Sequence, residues 1–273
     1  MGIAAKQTIV TIPTPHAGQQ RVLDAMGRFN VVCTGRRWGK SAMALIRAAM
    51  FIGKGLPVAY LSPTYKNLSS CWRDATELFK PILTQVNKAE HRFEVVTGGS
   101  LELWSLDNPD IIRGRKYALA LIDEAATVSD LGNAWNAVIR PTLTDLRGSA
   151  DFYSTPNGHN FFYQLYARGV DPAYEDWHSF HQPTLNNPLI DPHEIEGARA
   201  DLPADIFEQE YLAEFKASGG AVFRNIAACL TSERTIPQDH IGHRLVAGVD
   251  WGQSNDFTVI SIGCADCRKE VEM

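Results

Sequence analysis

Short apolar runs alternate along this chain with longer segments whose apolar residues recur at helical spacing. Runs rich in β-branched residues cover Asn30 to Thr34, Val58 to Ser62, Tyr117 to Ile122 and Asp151 to Ser154, and each predicts a strand. Between the first two, Ser41 to Ile52 is apolar almost all round except for Arg47, the pattern of a helix packed hard against a sheet. The runs Arg92 to Val96 and Ser100 to Leu106 flank Thr97, Gly98 and Gly99 and predict a hairpin. Further on, Phe207, Tyr211, Leu212 and Phe215 recur at helical spacing and read as core. The alternation predicts an α/β layered domain with a mostly parallel sheet.

Composition narrows the class without naming a partner. The 273 residues suit one large domain, or one domain with part of another. With 45% hydrophobic and 21% charged residues the chain is ordinary for a soluble globular protein. Its net charge of −5 confines any nucleic-acid contact to a local basic face. No apolar run approaches a membrane span, and the N-terminus lacks the apolar core of a signal peptide. Five scattered cysteines suit reduced thiols in a cytoplasm.

Three motifs carry chemistry. The first, Val31 to Ser41, runs from a strand through Gly35, Arg36, Arg37 and Gly39 into Lys40 and Ser41 at a helix start. In that context backbone N–H groups face phosphates, Lys40 adds a cation and Ser41 offers a hydroxyl to Mg²⁺. Thr34 stands where the phosphate-loop pattern expects its first glycine, and Gly35 follows it. The second motif is an apolar strand ending in Asp123 and Glu124, a metal-supporting carboxylate followed by one that can polarise a water. A kinase has no use for that second acid, because its nucleophile is the other substrate, so the pair points to hydrolysis. The third motif places Ser154 and Thr155 at the end of a strand stopped by Pro156 and Gly158. In ATPases that carry a catalytic glutamate, such a strand lies between the phosphate-loop strand and the metal-Asp strand, with its end near the γ-phosphate.

The order and spelling of RFNVVCTGRRWGKS, IIRGRKYALALIDEAA, IRPTLTDLRGSADFYSTPNG and EQEYLAEFKASGGAVF resemble the large terminase subunit of tailed bacteriophages, an ATPase-nuclease that packages viral DNA. The resemblance runs from about Pro15 onward and implies a P-loop ATPase of the catalytic-glutamate subclass over 1–160, a lid or linker subdomain over 161–241, and over 242–273 the first strands of an RNase H-like nuclease. It implies ATP and Mg²⁺ as ligands, with Mg²⁺ or Mn²⁺ for a complete nuclease. The implied partners are double-stranded DNA, a portal protein, a small terminase subunit and further copies in a ring on the procapsid, in the host cytoplasm and without a membrane.

Carried onto this sequence, the resemblance gives Lys40 and Ser41 the phosphates and Mg²⁺, Asp123 the metal, Glu124 catalysis, and Thr155 the coupling of hydrolysis to movement. Gly35, Arg36, Arg37 and Gly39 complete the loop. Gln19 or Gln20 looks like the adenine-recognising glutamine, with Gln20 as the site candidate. Arg36 or Arg37 could stabilise transition-state charge in cis; the resemblance to a packaging motor favours Arg140 acting in trans. In the last segment Asp250 matches the first metal-binding carboxylate of the nuclease, Asp256 reads as a turn residue, and nuclease activity is expected only in a longer chain.

Cys264 and Cys267 form C-x-x-C, and His240 and His243 form H-x-x-H. The histidine spacing is shorter than in the usual finger and the cysteines fall where a turn between nuclease strands would lie, so the four read as turn residues rather than a zinc site. Arg113, Arg115 and Lys116 could meet a DNA backbone but read as a solvated turn. Two other functions share the nucleotide site: a helicase-like ATPase that does not package, and a non-catalytic assembly or binding fragment.

Overall fold

Strand β1 (Phe29–Thr34) begins one residue before the predicted run and is buried throughout. It belongs to an eight-stranded sheet with β2 (Pro57–Ser62), β3 (Leu83–Asn87), β4 (Arg92–Val95), β5 (Ser100–Ser105), β6 (Leu119–Asp123), β7 (Ser149–Ser154) and β8 (Trp177–Gln182). The computed structural model describes residues 10–216, 237–250, 259–267 and 271; Asp256 lies outside them. The strand order is β3-β4-β5-β2-β6-β7-β1-β8. Every pairing from β5 to β8 is parallel, whereas β3, β4 and β5 form the antiparallel end that contains the predicted hairpin. Strand β7 lies between β6 and β1, the extra-strand order expected of the catalytic-glutamate subclass.

Both faces of this sheet are covered, so its strands read as continuous apolar runs rather than alternating ones. Val32, Val58, Tyr60, Leu121 and Tyr153 pack on one side with α1 (Ala17–Ala25), α2 (Lys40–Ile52) and α3 (Tyr65–Phe79). Val31, Leu61, Ile122 and Phe152 point the other way, against the helix Phe161–Val170 and a helical stretch made of Leu131–Asn133, a π-helical turn Ala134–Ile139 and Arg140–Thr142. The one charge on α2 beyond its first residue, Arg47, is buried and bonds Asp151 of β7 at 2.8 Å. Asp151 also accepts from Asn30 Nδ2 at 2.6 Å and from Tyr153 at 3.2 Å. The expected core residue Phe207 is buried, and Phe215 packs on Tyr163 and Tyr166.

Strand β8 pairs with β1 along its full length, and the helix Phe161–Val170 packs on the same sheet. The chain divides into two compact units, Met1–Gly219 and Gly220–Met273. In the second unit β9 (Leu245–Asp250) pairs antiparallel with β10 (Val259–Cys264). The basic triplet is spoken for: Arg113 pairs with Asp110, Arg115 with Glu102 and Lys116 with Asp145, which fits the turn reading. Among the described residues no helix is long and apolar enough to cross a membrane.

Candidate functional site

The turn between β1 and α2 is gripped from outside. Thr184 Oγ1 donates to the Arg36 carbonyl at 2.8 Å, Asn187 Nδ2 to that of Arg37 at 2.7 Å, and Gln19 Nε2 to that of Gly39 at 3.0 Å. His16 Nε2 lies 3.0 Å from the Trp38 carbonyl. Gly35 fits because a Cβ there would lie 2.3 Å from Thr184 Oγ1 and 2.5 Å from the Tyr211 carbonyl oxygen. Gly39 caps α2 at φ +103°, a conformation that glycine adopts without steric cost. With the loop carbonyls tied outward, the first N–H groups of α2, which have no intrahelical acceptor, are what the loop offers an anion.

The second and third motifs arrive at the same place because β6, β7 and β1 are neighbours in parallel register, so their C-terminal ends share one edge. Lys40 Nζ donates to Thr155 Oγ1 at 3.0 Å and lies 3.8 Å from Glu124 Oε1. Ser41 Oγ donates to Asp123 Oδ2 at 3.2 Å. This hydroxyl and carboxylate form an all-oxygen pair that suits a hard divalent cation. Asp123 is 8% exposed and takes two further bonds, from the Tyr60 hydroxyl at 2.5 Å and the Glu124 amide at 3.0 Å. Lys40, Ser41, Glu124 and Thr155 open on a cavity of about 840 Å³ lined also by Arg37, Asn67 and Glu210.

Glu124 sits at φ 50°, ψ 40°, an uncommon backbone for a non-glycine residue and the kind of strain that clusters at functional sites. The turn that holds it is fixed by the Ala126 amide donating to Ser154 Oγ at 3.0 Å and by Asn160 Nδ2 donating to the Ala126 carbonyl at 2.8 Å. The end of β7 is thereby tied to the turn that holds Glu124. Burial pushes the Glu124 carboxyl above the ordinary carboxylate range, Lys40 opposes that shift, and Asp123 adds to it.

The sequence candidates do not all converge. Arg36 is ion-paired to Glu210, while the Arg37 side chain has no partner among the described residues and lines the cavity. Arg140 is exposed with its guanidinium 5.4 Å over the Phe29 ring, at the start of β1 and so at the opposite end of the strand from the loop. Gln20 is exposed and bonded to Asp24 at 2.7 Å; its neighbour Gln19, 5% exposed, is the glutamine that meets the loop. Asp250 ends β9 in the second unit. Sequence reasoning missed Tyr60 and Glu210. The first was hidden in an apolar strand, and the second, within the quoted EQEYLAEF stretch, was given no role because its pairing with Arg36 is a long-range contact.

Known proteins resemble this chain over most of its length. The family model described as terminase large subunit, T4-like virus type, N-terminal, matches residues 31–227. A curated large terminase subunit of Escherichia phage T5 is 30% identical over 275 residues, which covers 96% of this chain and 62% of that protein. The solved ATPase domain of the Thermus phage P74-26 large terminase superposes with a TM-score of 0.64 at 25% identity, covering 74% of this chain and 94% of that one. The large terminase of another thermophilic bacteriophage, solved in complex with ADP, gives a TM-score of 0.62 at 15% identity over 91% of this chain and 64% of that one. The chain thus spans less than two thirds of the length of the T5 relative. With the family model matched across the phosphate loop, the Asp123-Glu124 strand end and β7 together, the chain belongs to the terminase large subunit family.

Proposed function

We propose that this chain binds ATP with Mg²⁺ and hydrolyses it to translocate double-stranded DNA through a portal into a procapsid, as one member of a homo-oligomeric ring that also engages a small terminase subunit. The observation that carries this reading is the convergence of Lys40, Glu124 and Thr155 at the shared end of three parallel strands. Family membership supports it, and a thermophilic-phage large terminase of the same fold was solved with ADP.

In this reading Lys40 and the N-terminus of α2 hold the β- and γ-phosphates. Ser41 and Asp123 would hold Mg²⁺, which would neutralise charge on those phosphates. Glu124 accepts a proton from the attacking water, a task for which its raised basicity suits it. Arg37 is the loop arginine able to reach the γ-phosphate in cis, since Arg36 is engaged by Glu210. Arg140, far from its own loop, is suited to act only on the site of a neighbouring protomer. Thr155 shares the Lys40 ammonium, so charge arriving in the cavity is felt at the end of β7. Gln19 holds the loop, and adenine recognition by Gln20 would require it to leave Asp24.

The test measures ATP turnover with and without double-stranded DNA, then portal-dependent DNA uptake into procapsids. Turnover and uptake that both disappear in Glu124→Gln support the proposal. DNA-stimulated turnover without uptake would replace it with a helicase-like reading.

A further inference from the structure

The second unit holds a group of side chains that the nucleotide chemistry does not use. His240, His243, Cys264 and Cys267 each present one ligand atom, and the four atoms lie within 4.8 Å of one another. We propose that these residues form a structural zinc site of the Cys₂His₂ type that closes the end of the β9–β10 hairpin.

The geometry explains why a histidine spacing shorter than that of a helical finger works here. Fingers of the usual kind set their two histidines with roughly three to five residues between them. His240 instead closes a 3₁₀ turn, Pro237–His240, and the His243 amide donates to the His240 carbonyl at 2.9 Å. Residues three apart in so tight a turn lie on the same side, and the two rings stand 5.8 Å apart between centroids. Cys264 is the last residue of β10 and Cys267 follows in the next turn. The two turns are pinned together: the Ala265 amide donates to the Arg244 carbonyl at 2.9 Å, and the Arg244 amide to Asp266 Oδ2 at 2.7 Å.

Distances and chemistry agree on the ion. Zinc bonds of about 2.0–2.1 Å to nitrogen and about 2.3 Å to sulfur put tetrahedral ligands roughly 3.3–3.8 Å apart. Cys264 Sγ lies 3.5 Å from His243 Nδ1, and Cys267 Sγ lies 3.2 Å from His240 Nδ1. Two thiolates and two imidazoles favour zinc over Mg²⁺ or Ca²⁺, which take oxygen ligands. His240 is 4% exposed, with its Nδ1 turned to Cys267 Sγ. The hairpin also needs a fastening. Two strands alone are marginal in water, and Val246 and Ile260 are 52% and 62% exposed. A metal at the open end supplies stability where the apolar core is thin.

Zinc content by mass spectrometry of the full chain tests this, with protein expressed without a polyhistidine tag and purified under reductant. About one zinc per chain is expected, and Co²⁺ exchange should give tetrahedral d–d bands with thiolate-to-cobalt charge transfer. Cys264→Ser and Cys267→Ser should each lower the content at least about tenfold, given the loss of a ligand. Because these variants could simply misfold, His243→Ala is paired with His243→Cys. The alanine form should lose zinc and the cysteine form, which keeps four ligands, should retain it. Wild-type protein without zinc and without the cobalt bands, or zinc content unchanged in both serine variants, would overturn the proposal.

Discussion

Glu124 is held at a left-handed backbone angle, with its carboxyl pushed above the usual range chiefly by burial. If Glu124 is the base, replacing it with Gln keeps the shape and removes that base, so ATP binding should survive while turnover falls by about 10²- to 10⁴-fold, the usual worth of a general base. Nucleotide affinity and single-turnover rates check this together. The sign of the pH dependence follows from the same shift. Turnover needs the ionised carboxylate and should fall with acidification at a pH higher than an ordinary glutamate would give. Since the folded state binds this proton more tightly than the unfolded chain, ionised Glu124 costs stability near neutrality, and Glu124→Gln should keep or raise Tm. Tyr60 makes a different kind of contribution, by orienting Asp123 through its hydroxyl. Tyr60→Phe should raise the Mg²⁺ concentration for half-maximal turnover by about 10- to 100-fold, as loss of an outer partner of a metal ligand does. An unchanged Mg²⁺ requirement would make Tyr60 a packing residue only.

At the scale of elements, α2 is fastened to the middle of the sheet by a charge rather than by apolar contact alone. Asp151 is fully buried and answers Arg47, Asn30 and Tyr153 at once. Asp151→Ala leaves Arg47 buried without its carboxylate, and urea unfolding should show a loss of about 3–5 kcal/mol. A double variant that replaces Arg47 with Met and Asp151 with Leu should recover most of that loss, because two apolar groups leave no charge stranded. The phosphate loop depends on close approach instead. Gly35→Ala would drive a methyl group against Thr184 and the Tyr211 carbonyl. It should cost about 1–3 kcal/mol and weaken ATP binding, measurable by nucleotide titration, because the loop must shift to admit it.

For the whole molecule the question is how many chains make one site. Arg140 lies at the start of β1, away from its own loop, on the exposed surface. If it completes a neighbour's site, Arg140→Ala should keep ATP affinity and lower turnover by up to ~10³-fold. Mixing it with Glu124→Gln should restore part of the activity, since the two lesions can then fall at different subunit contacts. No rescue at any ratio, with both proteins folded, would transfer the role to Arg37.

The motifs at Lys40, Asp123, Glu124 and Thr155 were legible in the sequence because each is a local event, a strand that ends in a turn, and strand ends carry their own signals in apolar runs, glycine and proline. The parallel sheet followed from the alternation of those runs, and the position of β7 from the arrangement of ATPases that carry a catalytic glutamate. Tyr60 was not legible, since its meaning depends on β2 lying beside β6 with Tyr60 opposite Leu121, a pairing that nothing local encodes. Strand β8 was missed for a related reason. Its WHSFHQ sequence is an edge strand with weak apolar alternation, and only pairing with β1 makes it part of the sheet. Which of Gln19 and Gln20 meets the loop was decided by helix phase, which turns one neighbour inward and the other to solvent. The four histidines and cysteines show the limit most clearly. Spacing rules written for helical ligands rejected them, and a tight turn facing a hairpin end brought them together. Sequence determined which chemistry the chain carries, because residue type is local; tertiary structure decided which residues share it, because proximity across strands is not.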